Sequence, residues 1–336
     1  MLSTVDAAIL EALSLEPTST KLIPHGSSSF ASTYKLTSTT LNGRDLTYFV
    51  KIGTGPSADV MLRGERASLN AIHDAVPGFC PRSLAHGAMG RASEGRAQHQ
   101  ESSSSGRYFL VTEFLEVGIH LITGSGMSLA EKLAKLHTTP APIPRGYDKP
   151  MYGFPVATCC GATVQENGWK ESWAEFYADN RLRAILKEGV RKNGNDRELT
   201  AAVEKVAETV VPRLLGDGHL KGVRPVLVHG DLWSGNHGEG RAAGKGGAEE
   251  VVFDPSCVYG HSEYELGIMR MFGGFGSGFW REYEKLVPKS EPKEEFEDRV
   301  ALYELYHHLN HFALFGGGYR SGAMSIMKKL ISKYGS

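Results

Sequence analysis

The chain has 336 residues, with 37 Lys plus Arg against 38 Asp plus Glu, 41% hydrophobic and 22% charged. That balance excludes a disordered tail or a polyelectrolyte, and a formal charge of −1 leaves no basic excess to neutralise the phosphates of a nucleic acid. A chain of this length can bury roughly 75% of its unfolded surface and exceeds the size at which one core usually splits, so two lobes are expected. Its longest apolar runs, such as Pro225 to Val228 and Ala313 to Phe315, fall far short of the roughly 18 residues of a membrane span, so no membrane partner is expected. The first residues carry Asp6, Glu11 and Glu16 without Lys or Arg, which argues against a secretory or transit leader and points to the cytoplasm. Four cysteines are too few for a disulfide scaffold, and Cys159 and Cys160 are adjacent, so all four are expected to be reduced.

From Lys21 to Val50 the pattern reads strand, turn, strand, with Phe30 to Leu36 after the turn, then a polar Thr37 to Asp45 stretch. Gly26-Ser27-Ser28-Ser29 sits in the first turn, and Leu46 to Ile52 is rich in β-branched and aromatic residues. A helix begins near Ser57, with Met61, Glu65, Leu69 and Ile72 on one face. Residues Gly90 to Gly106 are polar and Ser-rich, as expected of a mobile loop between strands. Tyr108 to Phe114 reads as a buried strand, and Glu116 to Gly126 as a hinge, which divides the chain into lobes 1–115 and 116–336. Beyond the hinge, Ser128 to His137, Trp169 to Glu188 and Leu199 to Leu215 have helical periodicity, and helices resume from Glu263. Val226 to Val228 and Val251 to Phe253 bracket a Gly-rich tip and suggest a hairpin. The fold class is therefore α+β: a small antiparallel sheet with one helix, followed by a mainly α lobe.

The chain contains no G-x-x-x-x-G-K-[ST], G-x-S-x-G, G-x-G-x-x-G or H-E-x-x-H, which removes the usual P-loop, hydrolase, dinucleotide and zincin anchors. The informative segment is VLVHGDLWSGN, Val226 to Asn236, followed by VVFDP, Val251 to Pro255. An Asp, an Asn five residues on, and a second Asp ending a β-branched run reproduce the spacing by which kinase-like folds place a base and metal ligands around one phosphoryl group. Asp231 would accept the proton of a substrate hydroxyl, while Asn236 and Asp254 would offer oxygen ligands to Mg2+. A polar loop with capping residues explains an isolated H-G-D but not all three residues in register.

The same logic requires a lysine on a strand to hold nucleotide phosphates and a helical glutamate to hold that lysine. Lys51 in YFVKI and Glu65 on the apolar helix face stand in those places, and a glutamate on a buried stripe needs a partner. Gly26, Ser27 and Ser28 would form the loop over the phosphates of ATP, although Gly/Ser turns are common between strands.

HGDLWSGN, FDPSCVYGHSEYEL, the following MFGGF, and FPVATCCGATVQENGW together resemble the fructosamine-3-kinase family, the ketosamine or protein-ribulosamine 3-kinases. The resemblance spans most of the chain, from Gly26 through LYHHLNHF to the last helix. It implies a two-lobed protein-kinase-like fold, similar to aminoglycoside phosphotransferases and choline kinases. It also implies transfer of the ATP γ-phosphate to the C3 hydroxyl of a ketosamine, with the glycated protein or free ketosamine as substrate and loss of the sugar as outcome. By position, Asp231 matches the catalytic aspartate, Asn236 and Asp254 the Mg2+ ligands, Lys51 and Glu65 the bridging ion pair, and Glu113, Phe114 and Leu115 the adenine-facing hinge. Trp233 would flank the sugar, or serve only as a packing aromatic. Where some relatives carry a cysteine in the glycine loop, this chain has Ser27, Ser28 and Ser29, so thiol control through that loop does not carry over.

Glu263, with Glu265 and His261 beside it, is a candidate carboxylate for the substrate amine; a helix start favoured by the N-terminal dipole explains the same residues. His307, His308 and His311 have helical spacing with no further ligand beside them and read as core or surface histidines. The alternatives are a kinase for an aminoglycoside or choline, or a nucleotide-binding pseudokinase. A choline site would need an aromatic cage and an aminoglycoside site a larger acidic surface, and neither is evident in the sequence. A protein kinase is disfavoured because Gly230 replaces the Arg of the catalytic loop and Pro255 follows Asp254.

Overall fold

The computed structural model describes residues 5–26, 28–90, 106–118, 126–242 and 246–335. Ser27, most of the expected Gly90 to Gly106 loop, residues 119–125 of the expected hinge and 243–245 of the Gly-rich tip lie outside the described residues.

Helix α1, Ala7–Leu13, opens the chain, capped by the Asp6 carboxylate, which accepts from the Ala8 N–H at 2.9 Å. Strands β1 (Thr20–Pro24), β2 (Ser32–Thr39) and β3 (Asp45–Thr54) follow as antiparallel neighbours. Leu36 on β2 and Val50 on β3 carry the buried face of this sheet, a use suited to branched and aromatic side chains. Helix α2, Ala58–Ala75, buries Leu62, Leu69 and Ile72 against the sheet, while Met61 stays half-buried. Strands β4 (Ser83–Ala88) and β5 (Arg107–Glu113) complete the order β1-β2-β3-β5-β4. Immediately beyond Glu113 the chain changes sheets: β6, Leu115–Val117, pairs with a strand more than a hundred residues later.

The helical part begins with α3, Leu129–Thr138, whose Ser128 and Glu131 form a reciprocal capping box. A short hairpin of β7 (Thr158–Cys160) and β8 (Thr163–Gln165) packs against α2. Helix α4 (Trp173–Tyr177) passes through a π-helical stretch into α5 (Ala184–Asn193), and α6 (Arg197–Lys205) passes through another into α7 (Val211–Leu215). Strands β9 (Val226–Val228), β10 (His237–Ala242), β11 (Glu249–Val252) and β12 (Val258–Gly260) precede α8 (Glu263–Phe272), α9 (Ser277–Leu286), α10 (Phe296–Phe315) and α11 (Tyr319–Tyr334). Helix α10 is the axis, packing on α5, α8 and α11 and burying Leu302, Tyr303, Leu305 and Tyr306.

The expected hairpin of Val226 to Val228 with Val251 to Phe253 is not formed. β9 pairs with β12, placing Val228 opposite Val258, whereas β11 pairs with β10, placing Val252 opposite His237. The reason is that a three-residue apolar run carries little register information, and the polar segment His237–Ala242 supplies a strand that the hydrophobic pattern does not mark. The result is two short ribbons flanking the loop of residues 229–236. All four cysteines are free.

Candidate active site

Lys51 lies near the end of the central strand β3, opposite Thr33 on β2 and Leu110 on β5. Its Nζ reaches Glu65 Oε1 of α2 at 2.7 Å and Asp254 Oδ1 at 2.6 Å. Burial alone would favour the neutral amine, but the two carboxylates outweigh it and hold Lys51 charged, above its ordinary pKa. Reciprocally, burial would raise the Asp254 carboxyl, and Lys51 overcomes this to hold it below its usual value. Asp254 has a φ of 56°, in the left-handed region that side chains other than Gly, Asn and Asp rarely adopt. That turn follows β11 and aims the carboxylate at Lys51 across the lobes.

The loop after β9 is held from beneath by buried groups. Glu265, in the first turn of α8, accepts from the His229 N–H at 2.5 Å and the Gly230 N–H at 3.0 Å. Gly230 has a φ of 82°, and a Cβ there would stand 2.1 Å from the Ser256 carbonyl oxygen, so only glycine fits. His229 Nε2 donates to the Phe253 carbonyl at 3.0 Å, while its Nδ1 accepts from the Asp231 N–H at 3.3 Å. This pair of bonds fixes one neutral tautomer, and burial lowers its pKa in agreement. The loop bearing Asp231 is thereby tied to the segment bearing Asp254.

Asp231 is half-buried. Asn236 Nδ2 donates to its backbone carbonyl at 2.9 Å, and the Cys160 thiol lies 3.7 Å from its Oδ1. Burial, reinforced by the Asp254 charge, pushes its carboxyl well above the ordinary aspartate value, and the Cys160 contact opposes that shift. Because Asn236 spends its amide N–H on Asp231, its Oδ1 remains an oxygen donor beside Asp254. These hard oxygen ligands fit Mg2+, which takes few protein ligands and completes its shell with phosphate and water. Among the described residues no group of three or more His, Cys, Asp or Glu forms a dedicated metal cage.

Three cavities meet along this line. The first, about 230 Å³, is lined by Gly26, Ser28, Lys51, Glu65, Glu113 and Leu115 among others. The second, about 240 Å³, shares Lys51, Glu65 and Asp254 with the first and adds Asp231, Trp233 and Asn236. The third, about 280 Å³, shares Asp231 and Trp233 with the second and runs to α10 and α11. An elongated cleft with Asp231 and Asp254 at its middle suits two substrates meeting end to end.

Two expected assignments are corrected. Phe114 does not line the first cavity as Glu113 and Leu115 do: its ring is buried, 5.1 Å from the His25 ring and 4.5 Å from Lys35 Nζ. Glu263 does not face a substrate amine. It is buried, with its carboxylate 2.7 Å from Arg299 Nε and accepting from the Ser290 N–H at 2.8 Å, so it joins α8 to α10. Sequence reasoning also missed Glu265 as the support of the loop, and it missed the third cavity, whose walls are aromatic: Phe30, Trp233, Phe272, His311, Phe315 and Tyr319. An aromatic enclosure is thus present after all, and His311 belongs to it. The one signal that could have revealed it is the density of rings in MFGGF and LYHHLNHFALF.

A small antiparallel sheet with its helices over a helical lobe, a lysine–glutamate pair joining β3 to α2, and an Asp–Asn–Asp set at the junction whose Asp254 also meets that lysine, define a kinase-like phosphotransferase. A sequence model described as "Fructosamine kinase" matches residues 8–333. Ketosamine-3-kinase of Mus musculus is 35% identical over 291 residues, which cover 84% of this chain and 87% of that protein. Protein-ribulosamine 3-kinase, chloroplastic, of Oryza sativa subsp. japonica is 36% identical over 282 residues, covering 83% and 71%. A crystal structure described as a candidate fructosamine-3-kinase of Thermobifida fusca YX-ER1 superposes with a TM-score of 0.71 at 22% identity, covering 98% of this chain and 99% of that one. The chain belongs to the fructosamine kinase family.

Proposed function

We propose that this chain transfers the γ-phosphate of ATP to the C3 hydroxyl of a ketosamine, a ribulose or fructose adduct of an amine such as a protein lysine. The observation that carries the reading is the placement of Asp231 where a cavity walled by Lys51 and Glu65 meets one walled by aromatic rings. In this reading residues 1–115 hold the nucleotide and 116–336 the acceptor and the chemistry. Lys51, kept charged by Glu65, holds the nucleotide phosphates, and Gly26, Ser27 and Ser28 cover them. Glu113 and Leu115 face the base. Asn236 and Asp254 hold Mg2+, which supplies charge neutralisation at the transferring phosphoryl group.

Asp231 takes the proton of the C3 hydroxyl as that oxygen bonds to the γ-phosphorus and the bond to ADP breaks. Its raised carboxyl pKa makes it a stronger base than an exposed aspartate once ionised. The phosphorylated ketosamine is unstable and sheds its sugar, so the reaction restores a free amine and repairs glycated protein. We place this reaction in the cytoplasm; among the described residues no helix is long and apolar enough to cross a membrane.

An aminoglycoside is disfavoured because, among the described residues, Asp231 is the only carboxylate lining the aromatic cavity. Choline is the second reading, favoured by the rings alone. The test is a Mg-ATP turnover screen across a ribulosamine, a fructosamine, an aminoglycoside and choline. Ketosamine phosphorylation followed by amine release is expected, with activity lost reversibly in excess EDTA. Efficient turnover of choline or the aminoglycoside with both ketosamines untouched would overturn the assignment.

A further inference from the structure

Among the described residues lining the aromatic cavity, Asn310 and His311 each keep one polar atom without a partner: Asn310 Oδ1, which is fully enclosed, and His311 Nε2, which is not. The His311 ring, on α10, lies 5.2 Å from Phe272, 5.6 Å from Phe315 and 5.0 Å from Tyr319, measured between centroids. Its Nδ1 is 2.8 Å from the carbonyl oxygen of His307. A carbonyl oxygen only accepts, so Nδ1 carries the proton and Nε2 of the neutral ring holds the lone pair. Burial favours the neutral form. Among the described residues no group donates to Nε2, so an acceptor with a fixed tautomer is left for whatever enters.

The surroundings narrow what that is. Among the lining residues there is no lysine or arginine, and the one carboxylate, Asp231, is already engaged as the base for the hydroxyl. A cation entering here would be stabilised by the faces of Trp233, Phe272, Phe315 and Tyr319. Aromatic faces attract charge but do not satisfy N–H groups directionally, and an N–H withdrawn from water without an acceptor is unfavourable. In a ketosamine the amine sits on C1, separated from C3 only by the ketone carbon. A substrate with its C3 hydroxyl at Asp231 therefore carries its ammonium within the same cavity that His311 lines.

We propose that His311 is the specificity-determining residue of the acceptor subsite, its Nε2 accepting a hydrogen bond from the ammonium N–H of the ketosamine while the surrounding rings hold the charge. This rests on the ketosamine reading above. The subsite then rewards a primary, secondary or tertiary ammonium joined to a polyol. A quaternary ammonium such as choline gains the rings but has no N–H to give, and a polycation finds no acidic surface. A neutral acceptor thus discriminates where a carboxylate would attract any cation.

The test crosses one substitution in the protein with one in the substrate. Wild-type, His311→Phe and His311→Gln enzymes are assayed with a fructosamine and with the same sugar bearing an ether oxygen in place of the amine. His311→Phe should lower kcat/KM for the fructosamine about tenfold, the scale of one charge-assisted hydrogen bond, chiefly through KM. It should change the ether by less than about twofold and leave the KM for ATP unmoved. His311→Gln, which retains an oxygen acceptor near the Nε2 position, should recover most of the loss. Equal losses on both substrates, a shift in the KM for ATP, or no loss at all would overturn the proposal. If the wild type turns over the fructosamine and His311→Phe matches it, only the role of His311 falls. If the wild type turns over no ketosamine, the functional reading and this one fall together.

Discussion

The proposed nucleotide side of the cleft and the proposed acceptor side are assembled on opposite principles, joined by a middle cavity that shares Lys51, Glu65 and Asp254 with the one and Asp231 and Trp233 with the other. On the nucleotide side, Lys51, Glu65 and Asp254 come from a strand, a helix and a post-strand turn, and the lysine binds the two carboxylates at 2.7 and 2.6 Å. Lys51 and Glu65 are buried charges that each demand a partner, so finding one predicts the other, whereas Asp254 is half exposed. On the acceptor side, Phe30, Trp233, Phe272, His311, Phe315 and Tyr319 come from the glycine loop, the base loop and three helical segments. A ring is content with any apolar neighbour, so none of these residues announces the others. What betrays them is exposure: Trp233, Phe272 and Phe315 are 39%, 41% and 60% accessible, a concentration of exposed apolar surface that marks a binding site. Charge substitutions should therefore act on turnover or on folding, and ring substitutions on substrate affinity.

The largest effect is expected at Asp231. Asp231→Asn should reduce kcat by at least about 10²-fold, the lower range for a positioned base, while ATP still binds. The same change should stabilise the fold. The carboxyl is raised in the folded state, so its contribution to stability is full below the unfolded pKa and is lost as pH rises through the folded one. At neutral pH the ionised group is a net cost that the amide removes. Melting curves should show a higher Tm for Asp231→Asn at pH 7 and a vanishing difference in acid. Wild-type turnover by the variant would remove Asp231 from the chemistry.

Next is Glu263, where sequence and structure part. Glu263→Ala leaves the fully buried Arg299 without its carboxylate and should destabilise the protein by about 3–5 kcal/mol, read from denaturant unfolding. The folded fraction should keep its KM for a ketosamine. A raised sugar KM at unchanged stability would return Glu263 to the substrate site.

These cases show which parts of the molecule were legible in the chain. The sheet order up to β3 and the helix bearing Glu65 were readable because alternation and helical spacing are local properties. The grouping of Asp231, Asn236 and Asp254 around one cavity was readable because a rigid loop and one turn fix their relative positions within a short stretch. Glu263 was not, because its partner Arg299 is 36 residues away on another helix and nothing near Glu263 signals burial. Glu265 was obscured similarly, since it serves backbone N–H groups, which every residue has. The pairing of β9 with β12 was missed because both strands are three residues long.

On the ring side the expected effects are smaller. Trp233 packs 5.9 Å from Phe272, and Gly235 leaves room for its indole, since a Cβ at Gly235 would stand 2.1 Å from the ring. Trp233→Ala should raise the KM for a ketosamine about tenfold, with kcat and the KM for ATP nearly unchanged, on the scale of an aromatic contact. A fall in kcat as large as that of Asp231→Asn would erase the contrast between the two sides.

The smallest and most diagnostic effect lies at the boundary between them, where Cys160 of β7 meets Asp231, the proposed base. Burial and the neighbouring Asp231 charge push the Cys160 thiol well above its ordinary pKa, so it remains an S–H donor throughout the working range. Its contact with Asp231 Oδ1, at 3.7 Å, favours the ionised carboxylate and restrains a pKa that burial drives upward. Removing the donor in Cys160→Ala should let that pKa rise, so the acid limb of the kcat/KM profile moves to higher pH, while the plateau rate above the limb changes by no more than about threefold. Cys160→Ser places a stronger donor at the same position and should move the limb the other way. Opposite displacements in the two variants would show the thiol acting through the charge of the base. A limb that stays fixed in both, or a plateau that collapses, would mean that Cys160 matters only as packing between β7 and α10.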